Sequence, residues 1–255
     1  MIIEFIGSTG AGKTTLIAEV QRRLSQFANV TTPFELLAAP LGLAGVTHPT
    51  TRNLIQELVG FPYLIRSLPQ HKSSIAFSLR MLARKADSTV LTINNIRSLV
   101  RKIGAYEMMR RDKKDHVILV DEGTVLLAHV LFVYNKAYYT SEEITEFAGL
   151  VPLPDVIVYV KAPVDSLIKR SLQRSDPPRE MKSKNPDEVE KYVNDAVAMF
   201  DELVNTEEIR SRLLVIDNPE CADKVVNNAA DTVTEFVLNH QTASPYTRST
   251  KFRAI

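Results

Sequence analysis

The sequence predicts an α/β fold in which a parallel sheet carries helices on both faces. Two observations lead there. A glycine-rich run, Gly7-Ser8-Thr9-Gly10-Ala11-Gly12-Lys13-Thr14, follows directly on the apolar stretch Ile2-Ile3-Glu4-Phe5-Ile6, giving strand, loop and helix in the order a phosphate-binding unit requires. Further along, four apolar runs are each followed by helical spacing, and that alternation marks a parallel sheet.

The loop fills the pattern G-x-x-x-x-G-K-[ST] completely. Its glycines let backbone N–H groups converge on a polyphosphate, and the helix behind it, expected over residues 15–27, turns its positive end toward that anion. Leu16, Ile17, Val20, Leu24 and Phe27 make one apolar stripe along this helix, which Asn29 ends. The next strand is read over residues 30–35, and Pro33 inside it, unable to donate a ladder hydrogen bond, puts it at the sheet edge. Three short β-branched runs, residues 116–120, 156–160 and 213–216, suit the buried centre.

Between the second and third strands lie about 80 residues of helical spacing without strand-like alternation. Pro40, Gly42, Gly45, Pro49, Gly60, Pro62 and Pro69 are expected to break its first half into short pieces. Residues 75–111 read as two longer helices with a break near 86–89. Asn185-Pro186-Asp187-Glu188 is a strong helix start, combining a capping side chain, a first-turn proline and two acids. A last helix is expected over residues 222–238, and residues 241–255 read as a tail. The chain therefore reads as one domain over 1–240, with a helical region at 41–115 and a basic loop at 173–185.

At 255 residues and 45% hydrophobic, the chain suffices for one sizeable α/β domain with insertions. Its single cysteine, Cys221, excludes an internal disulfide and fits a reducing, cytoplasmic setting. The opening strand has no signal-like segment before it, and no apolar run approaches the roughly 18 residues of a membrane span. The net charge is only +1, but residues 41–115 hold 13 Lys/Arg against 5 Asp/Glu. Such a basic segment draws an anionic substrate or a nucleic acid, or else is solvated helix surface.

The chemistry concentrates at three places. In the loop, residues Gly7, Ser8, Thr9, Gly10, Ala11, Gly12, Lys13, Thr14 and Thr15 are candidate nucleotide ligands. Lys13 should reach the β- and γ-phosphates of ATP and the Thr14 hydroxyl should ligate Mg²⁺, with Thr15 also serving the helix start. The second place is Val117-Ile118-Leu119-Val120-Asp121-Glu122, a strand delivering two acids beside the loop. Asp121 is assigned to the Mg²⁺ shell, directly or through water. Glu122 would polarise water or orient an acceptor hydroxyl, unless it is a solvated loop acid. Glu35, at the end of the edge strand, is a third candidate general base.

The third place is Arg170, Arg174 and Arg179, with Lys169, Lys182 and Lys184, bracketing Ser175-Asp176-Pro177-Pro178. Arg170 and Arg174 share a helix face, and the loop behind them would fold over bound phosphates and bring guanidinium groups to the transferring phosphoryl. A basic surface helix with a proline turn is the plainer alternative.

These pieces resemble a family. The loop Gly10-Ala11-Gly12-Lys13-Thr14-Thr15, the strand ending in Asp121, the segment Leu153-Pro154-Asp155-Val156-Ile157-Val158-Tyr159-Val160, and Ala162-Pro163 with Arg170 and Arg174 behind it are similar to thymidylate kinases and the related deoxynucleoside kinases. The closing strand Leu213-Leu214-Val215-Ile216-Asp217-Asn218 resembles the segment whose following loop receives adenine there. The likeness runs over residues 1–238. It implies a P-loop fold with a five-stranded parallel sheet of order 2-3-1-4-5, a helical substrate region and an arginine-bearing lid. It further implies that Lys13, Thr14, Asp121 and Arg174 are phosphate, metal and lid positions, and that the chain pairs as a homodimer. The chain departs from the family at Thr9, where thymidylate kinases have an acid, and at Glu122, where both families have arginine. Both departures fall on the acceptor side.

Transfer of the γ-phosphoryl group of ATP to a small acceptor, such as a nucleoside, nucleotide or other anionic or hydroxyl-bearing molecule, is the leading reading. A P-loop ATPase or switch acting on a protein or nucleic acid is the alternative, and a degenerate nucleotide binder the third. No Leu-Ser-Gly-Gly-Gln signature is present, and in Asn135-Lys136-Ala137-Tyr138 a tyrosine takes the place of the acid that would read guanine.

Overall fold

The computed structural model describes residues 1–43, 45–84, 89–112, 116–134, 138–175, 177, 181–183, 185–220 and 223–243. Five strands, β1 (Ile2–Ile6), β2 (Val30–Thr31), β3 (Val117–Val120), β4 (Val156–Lys161) and β5 (Leu213–Asp217), form one sheet of order β2-β3-β1-β4-β5. Every pairing is parallel, with Ile3 opposite Leu119 and Val156, and Val158 opposite Leu214. All five residues of β1 are buried, as are all four of β3. That explains why both read as unbroken apolar runs rather than alternating ones.

Helix α1 (Lys13–Leu24) buries Leu16, Ile17, Val20 and Leu24. It ends before the expected Phe27, which is 65% exposed. The apolar spacing simply ran on past the last turn.

The edge position of β2 is as expected, but Pro33 is not the cause. The strand stops at Thr31, and Pro33 opens α2 (Pro33–Ala38) at the first helical position, where a missing N–H costs nothing. Thr32 and Glu35 form a capping box: the Glu35 N–H donates to Thr32 Oγ1 at 3.3 Å and the Thr32 N–H donates to the Glu35 carboxylate at 2.8 Å. A short 3₁₀ turn, Ala39–Leu41, follows.

The helical region departs most from expectation. Instead of short pieces, α3 (Pro49–Ala83) is one helix of 35 residues that passes through Gly60, Pro62 and Pro69. It packs against α4 (Thr89–Asp112), and the two backbones meet at Gly60 and Gly104: a Cβ on Gly104 would lie 2.6 Å from the Gly60 carbonyl oxygen. Tertiary packing here overrides the local cost of two prolines. The break between the long helices falls where the spacing puts it, although residues 85–88 themselves lie outside the described residues.

After β3 the chain makes a π-helical turn, His129–Tyr134, then α5 (Ser141–Leu150), β4 and α6 (Val164–Gln173). Helix α7 (Pro186–Leu203) starts as expected, with Asn185 Oδ1 accepting from the Asp187 N–H at 3.0 Å. Helices α8 (Glu207–Arg210) and α9 (Asp223–Ala243) flank β5, and α9 takes in the first three residues assigned to the tail. Among the described residues no helix is long and apolar enough to cross a membrane.

Candidate active site

The loop after β1 is built on three glycines at positive φ: Gly7 at 139°, Gly10 at 84° and Gly12 at 90°. At Gly7 sterics add to conformation, since a Cβ there would sit 2.5 Å from the Val160 carbonyl oxygen of β4. Lys13 folds back across this loop, donating from Nζ to the Gly7 and Ser8 carbonyls at 2.8 and 3.1 Å. Burial pulls the Lys13 pKa down, while Asp121 and Glu122 oppose that shift. Ser8 is buried, and its hydroxyl has no partner among the described residues.

Asp121 leaves the end of β3, and its carboxylate accepts a hydrogen bond from Thr14 Oγ1 at 3.1 Å. A hydroxyl and a carboxylate oxygen so close together are the hard donors Mg²⁺ takes from protein, its remaining positions going to phosphates and water. The residues present therefore fit the ion.

The arginines divide. Arg170, expected to reach the transferring phosphoryl, instead braces the framework: its guanidinium donates to the carbonyls of Gly10 at 3.1 Å, Asn218 at 3.4 Å and Pro219 at 2.7 Å. The side chain is committed to backbone carbonyls by the way α6 lies against the loop. Asn218, just past β5, completes the brace by donating from Nδ2 to the Ala11 carbonyl at 2.8 Å. Arg174 at the end of α6 does line the cavity, together with Pro177. Met181 is fully buried and pins the far end of this loop to the core. Arg179 and Lys184 lie outside the described residues.

Glu35 is not brought to the site. Its carboxylate is taken up by the capping box, and it lines neither cavity beside the loop. Glu122 is close but paired: its carboxylate lies 3.6 Å from Lys102 Nζ and 3.9 Å from Arg101, and the Lys102 charge holds its pKa below the usual range.

Two cavities flank the Asp121-Glu122 turn and share Thr14 and Lys102. The larger, about 710 Å³, runs from the loop, with Thr9 and Thr15 on its wall, to a far side made by Asn95, Ser98 and Lys102 of α4 and by Leu126, His129 and Tyr134. The smaller, about 540 Å³, lies between α2, the first turns of α3, and α4, with Phe34, Arg52 and Gln56 on its wall. The Arg52 guanidinium stacks 4.3 Å from the Phe34 ring centroid, so a cation faces this space in a fixed orientation.

Four of these groups escape sequence reasoning. Lys102 is one of 13 cations in its region, yet it is buried between Leu99 and Ile103, and a lysine on an apolar stripe is the signal that was there. Its Nζ donates to the Glu122 carbonyl at 2.9 Å. Asn95 is buried, and its Nδ2 has no partner among the described residues. His129 interrupts an apolar run; its ring stacks on Phe200 at 5.7 Å and meets Tyr134 and Tyr192 edge-on, and its Nε2 has no partner among the described residues. Burial drives its pKa down to about 3, so the imidazole is neutral. Glu4, inside β1, accepts from the Val125 and Leu126 N–H groups at 3.2 and 2.9 Å and so holds the turn after Asp121. Burial pushes its pKa up to about 7.

A strand, a glycine loop and a helix at the centre of a 2-3-1-4-5 parallel sheet decide the fold. It is a P-loop fold. No protein-family model matches the sequence, and no curated protein matches it. Similar solved structures include a shikimate kinase from Acinetobacter baumannii in complex with shikimate, at 16% identity and TM-score 0.44 over 94% of each chain. A shikimate kinase from Bacteroides thetaiotaomicron is similar at 11% identity and TM-score 0.45 over 93% of this chain and 98% of that one. A deoxyadenosine kinase from M. mycoides with products bound is similar at 15% identity and TM-score 0.46 over 96% of this chain and 100% of that one.

Proposed function

We propose that the protein transfers the γ-phosphoryl group of ATP to a small acceptor. The observation that carries this reading is the continuity of the larger cavity. It begins at Lys13 and the Thr14–Asp121 pair and ends at two buried polar side chains, Asn95 and His129, whose Nδ2 and Nε2 have no partner among the described residues. Leaving buried polar atoms unpaired costs about 1–3 kcal/mol each, a cost that a second bound molecule would remove.

In this reading the loop N–H groups and Lys13 hold the β- and γ-phosphates, exchanging the Gly7 and Ser8 carbonyls for phosphate oxygens at Nζ. Thr14 and Asp121 would hold Mg²⁺, which supplies charge neutralisation between those phosphates when bound. Arg174 faces the same space and adds positive charge where the equatorial oxygens develop it. Arg170 and Asn218 act indirectly, by fixing the loop carbonyls. Glu122, kept ionised by Lys102, orients the acceptor hydroxyl; its ion pair makes it a weak base, as suits a reaction that depends mainly on positioning. Arg52 and Lys102 would draw an anionic acceptor. The thymidylate kinase-like subtype rests on the motifs quoted above.

The test is ATP turnover with Mg²⁺ against nucleosides, nucleoside monophosphates and phosphorylated sugars, reading ADP and phosphorylated product together. Product should match ADP for one acceptor, and Lys13→Ala should lower the rate by at least about a hundredfold. ADP without product from any acceptor would replace this reading with an ATPase.

A further inference from the structure

Among the described residues, four stand on the wall of both cavities: Thr14, Asp121, Glu122 and Lys102. In the proposed transfer Thr14 and Asp121 hold the ion between the phosphates, and Glu122 orients the acceptor hydroxyl. Lys102 stands at the same junction, and drawing in an acceptor does not account for its depth there.

Asn95, Ser98 and Lys102 follow one another on α4 at spacings of three and four, so the helix turns one polar row toward the larger cavity, and Lys102 ends that row beside the turn after β3. Its side chain is 3% exposed. Nζ donates to the Glu122 carbonyl at 2.9 Å, whereas the Glu122 carboxylate stands off at 3.6 Å, an ion pair beyond hydrogen-bond distance. An ammonium carries three N–H groups, so two of them have no hydrogen-bond partner among the described residues. A buried cation bonded so sparsely is a costly way to staple a helix to a turn. Lys13 and Lys102 both act on the Glu122 carboxylate and on His129, one from the phosphate loop and the other from the far wall. The turn itself, Asp121-Glu122-Gly123, contains no cation.

We propose that Lys102 is a catalytic residue, contacting the phosphoryl group as it moves from ATP to the acceptor. The inference rests on the phosphoryl-transfer reading. In that step the acceptor hydroxyl oxygen bonds to the γ-phosphorus while the bond to the β,γ-bridging oxygen breaks. The electron pair of the broken bond stays on ADP, and the hydroxyl proton is released to solvent. Lys13 holds the group at the loop, where it starts. Lys102 meets it on the acceptor side, where its two free N–H groups take up equatorial oxygens as the group arrives, so the contact is stronger in the transition state than in bound ATP.

Kinetics with ATP and Mg²⁺ decide it, using the nucleoside, nucleoside monophosphate or phosphorylated sugar that yields product. Lys102→Met, which keeps an apolar stem of similar length, should lower kcat about a hundredfold and move the KM of ATP and of the acceptor by less than about threefold. Lys102→Arg, which keeps the charge, should retain more of the rate, and thermal unfolding shows that both variants are folded. A raised acceptor KM at unchanged kcat would leave Lys102 attracting the acceptor and nothing more, which overturns the proposal. Glu122→Gln supplies the second arm. If Lys102 touches the phosphoryl group, Lys102→Met costs the same factor in that background. If it acts only by holding Glu122, the double variant is no slower than Glu122→Gln alone, and the proposal falls. ADP released by the wild type without product from any acceptor would remove the transfer reading, and this inference with it.

Discussion

The two walls of the candidate active site are built in different ways. On the phosphate side, the groups that matter hang from strand ends: Gly7 after β1, Asp121 after β3 and Asn218 after β5. Parallel register fixes their relative positions, because β1 pairs with both β3 and β4 through buried residues. On the acceptor side, Asn95, Lys102 and Arg52 come from helices and His129 from a π-helical turn, and only packing places them. Strand-borne groups inherit their geometry from backbone hydrogen bonds. Helix-borne groups inherit it from how two surfaces fit.

Glu4 and His129 sharpen this contrast, since each is a buried titratable group on one side of the junction. The Glu4 carboxyl, with a folded pKa of about 7 against 4.5, stabilises the protein fully below pH 4.5 and loses that contribution as pH rises to 7. The size is on the order of 3 kcal/mol. His129, at about 3 against 6.5, works the other way: stability falls as pH drops from 6.5 toward 3, by an amount on the order of 5 kcal/mol. In the wild type the two oppose each other between pH 4.5 and 6.5. Urea unfolding across pH 4.5–7.5 should therefore show Glu4→Gln gaining stability steadily to pH 6.5 and His129→Gln losing it to pH 7. Parallel curves for the two variants would mean that neither group is buried as described.

A smaller effect is expected at the helix crossing. Gly104→Ala forces a methyl against the Gly60 carbonyl and should separate α3 from α4, costing roughly 2 kcal/mol by overpacking. Because only the acceptor wall moves, nucleotide affinity should stay within about twofold while turnover falls. Equal losses of nucleotide binding and turnover would show that the two walls are one cooperative unit.

The difference between the walls is also the difference in what the chain discloses. The phosphate loop, the strand ending in Asp121 and the helix start at Asn185 are contiguous and could be read residue by residue. The 35-residue α3 could not, because Gly60, Pro62 and Pro69 signal breaks locally and are overruled by a helix contacted from far along the chain. Arg170 has the right spacing for a phosphate ligand, yet its partners are carbonyls 48 and 160 residues away. Lys102 and His129 each left a trace, a polar residue in an apolar pattern. Asn95 left none, since its burial follows only from where α4 lies.

Glu35 supplies the mildest test. As a general base its loss would be severe in turnover and silent in stability. As the capping-box acid of α2, which the hydrogen bonds to Thr32 indicate, it should behave in reverse. Glu35→Ala leaves the Thr32 N–H without its side-chain acceptor at a short, six-residue helix, and should cost about 0.5–1 kcal/mol in thermal unfolding. Acceptor KM and turnover should be unchanged, because the first turn of α2 is also held by Pro33 and by the Thr32 hydroxyl. Glu35→Gln, which keeps an acceptor oxygen for the Thr32 N–H, should recover most of the stability. A variant that stays stable but loses turnover would return Glu35 to the chemistry and require α2 to rearrange when the acceptor binds.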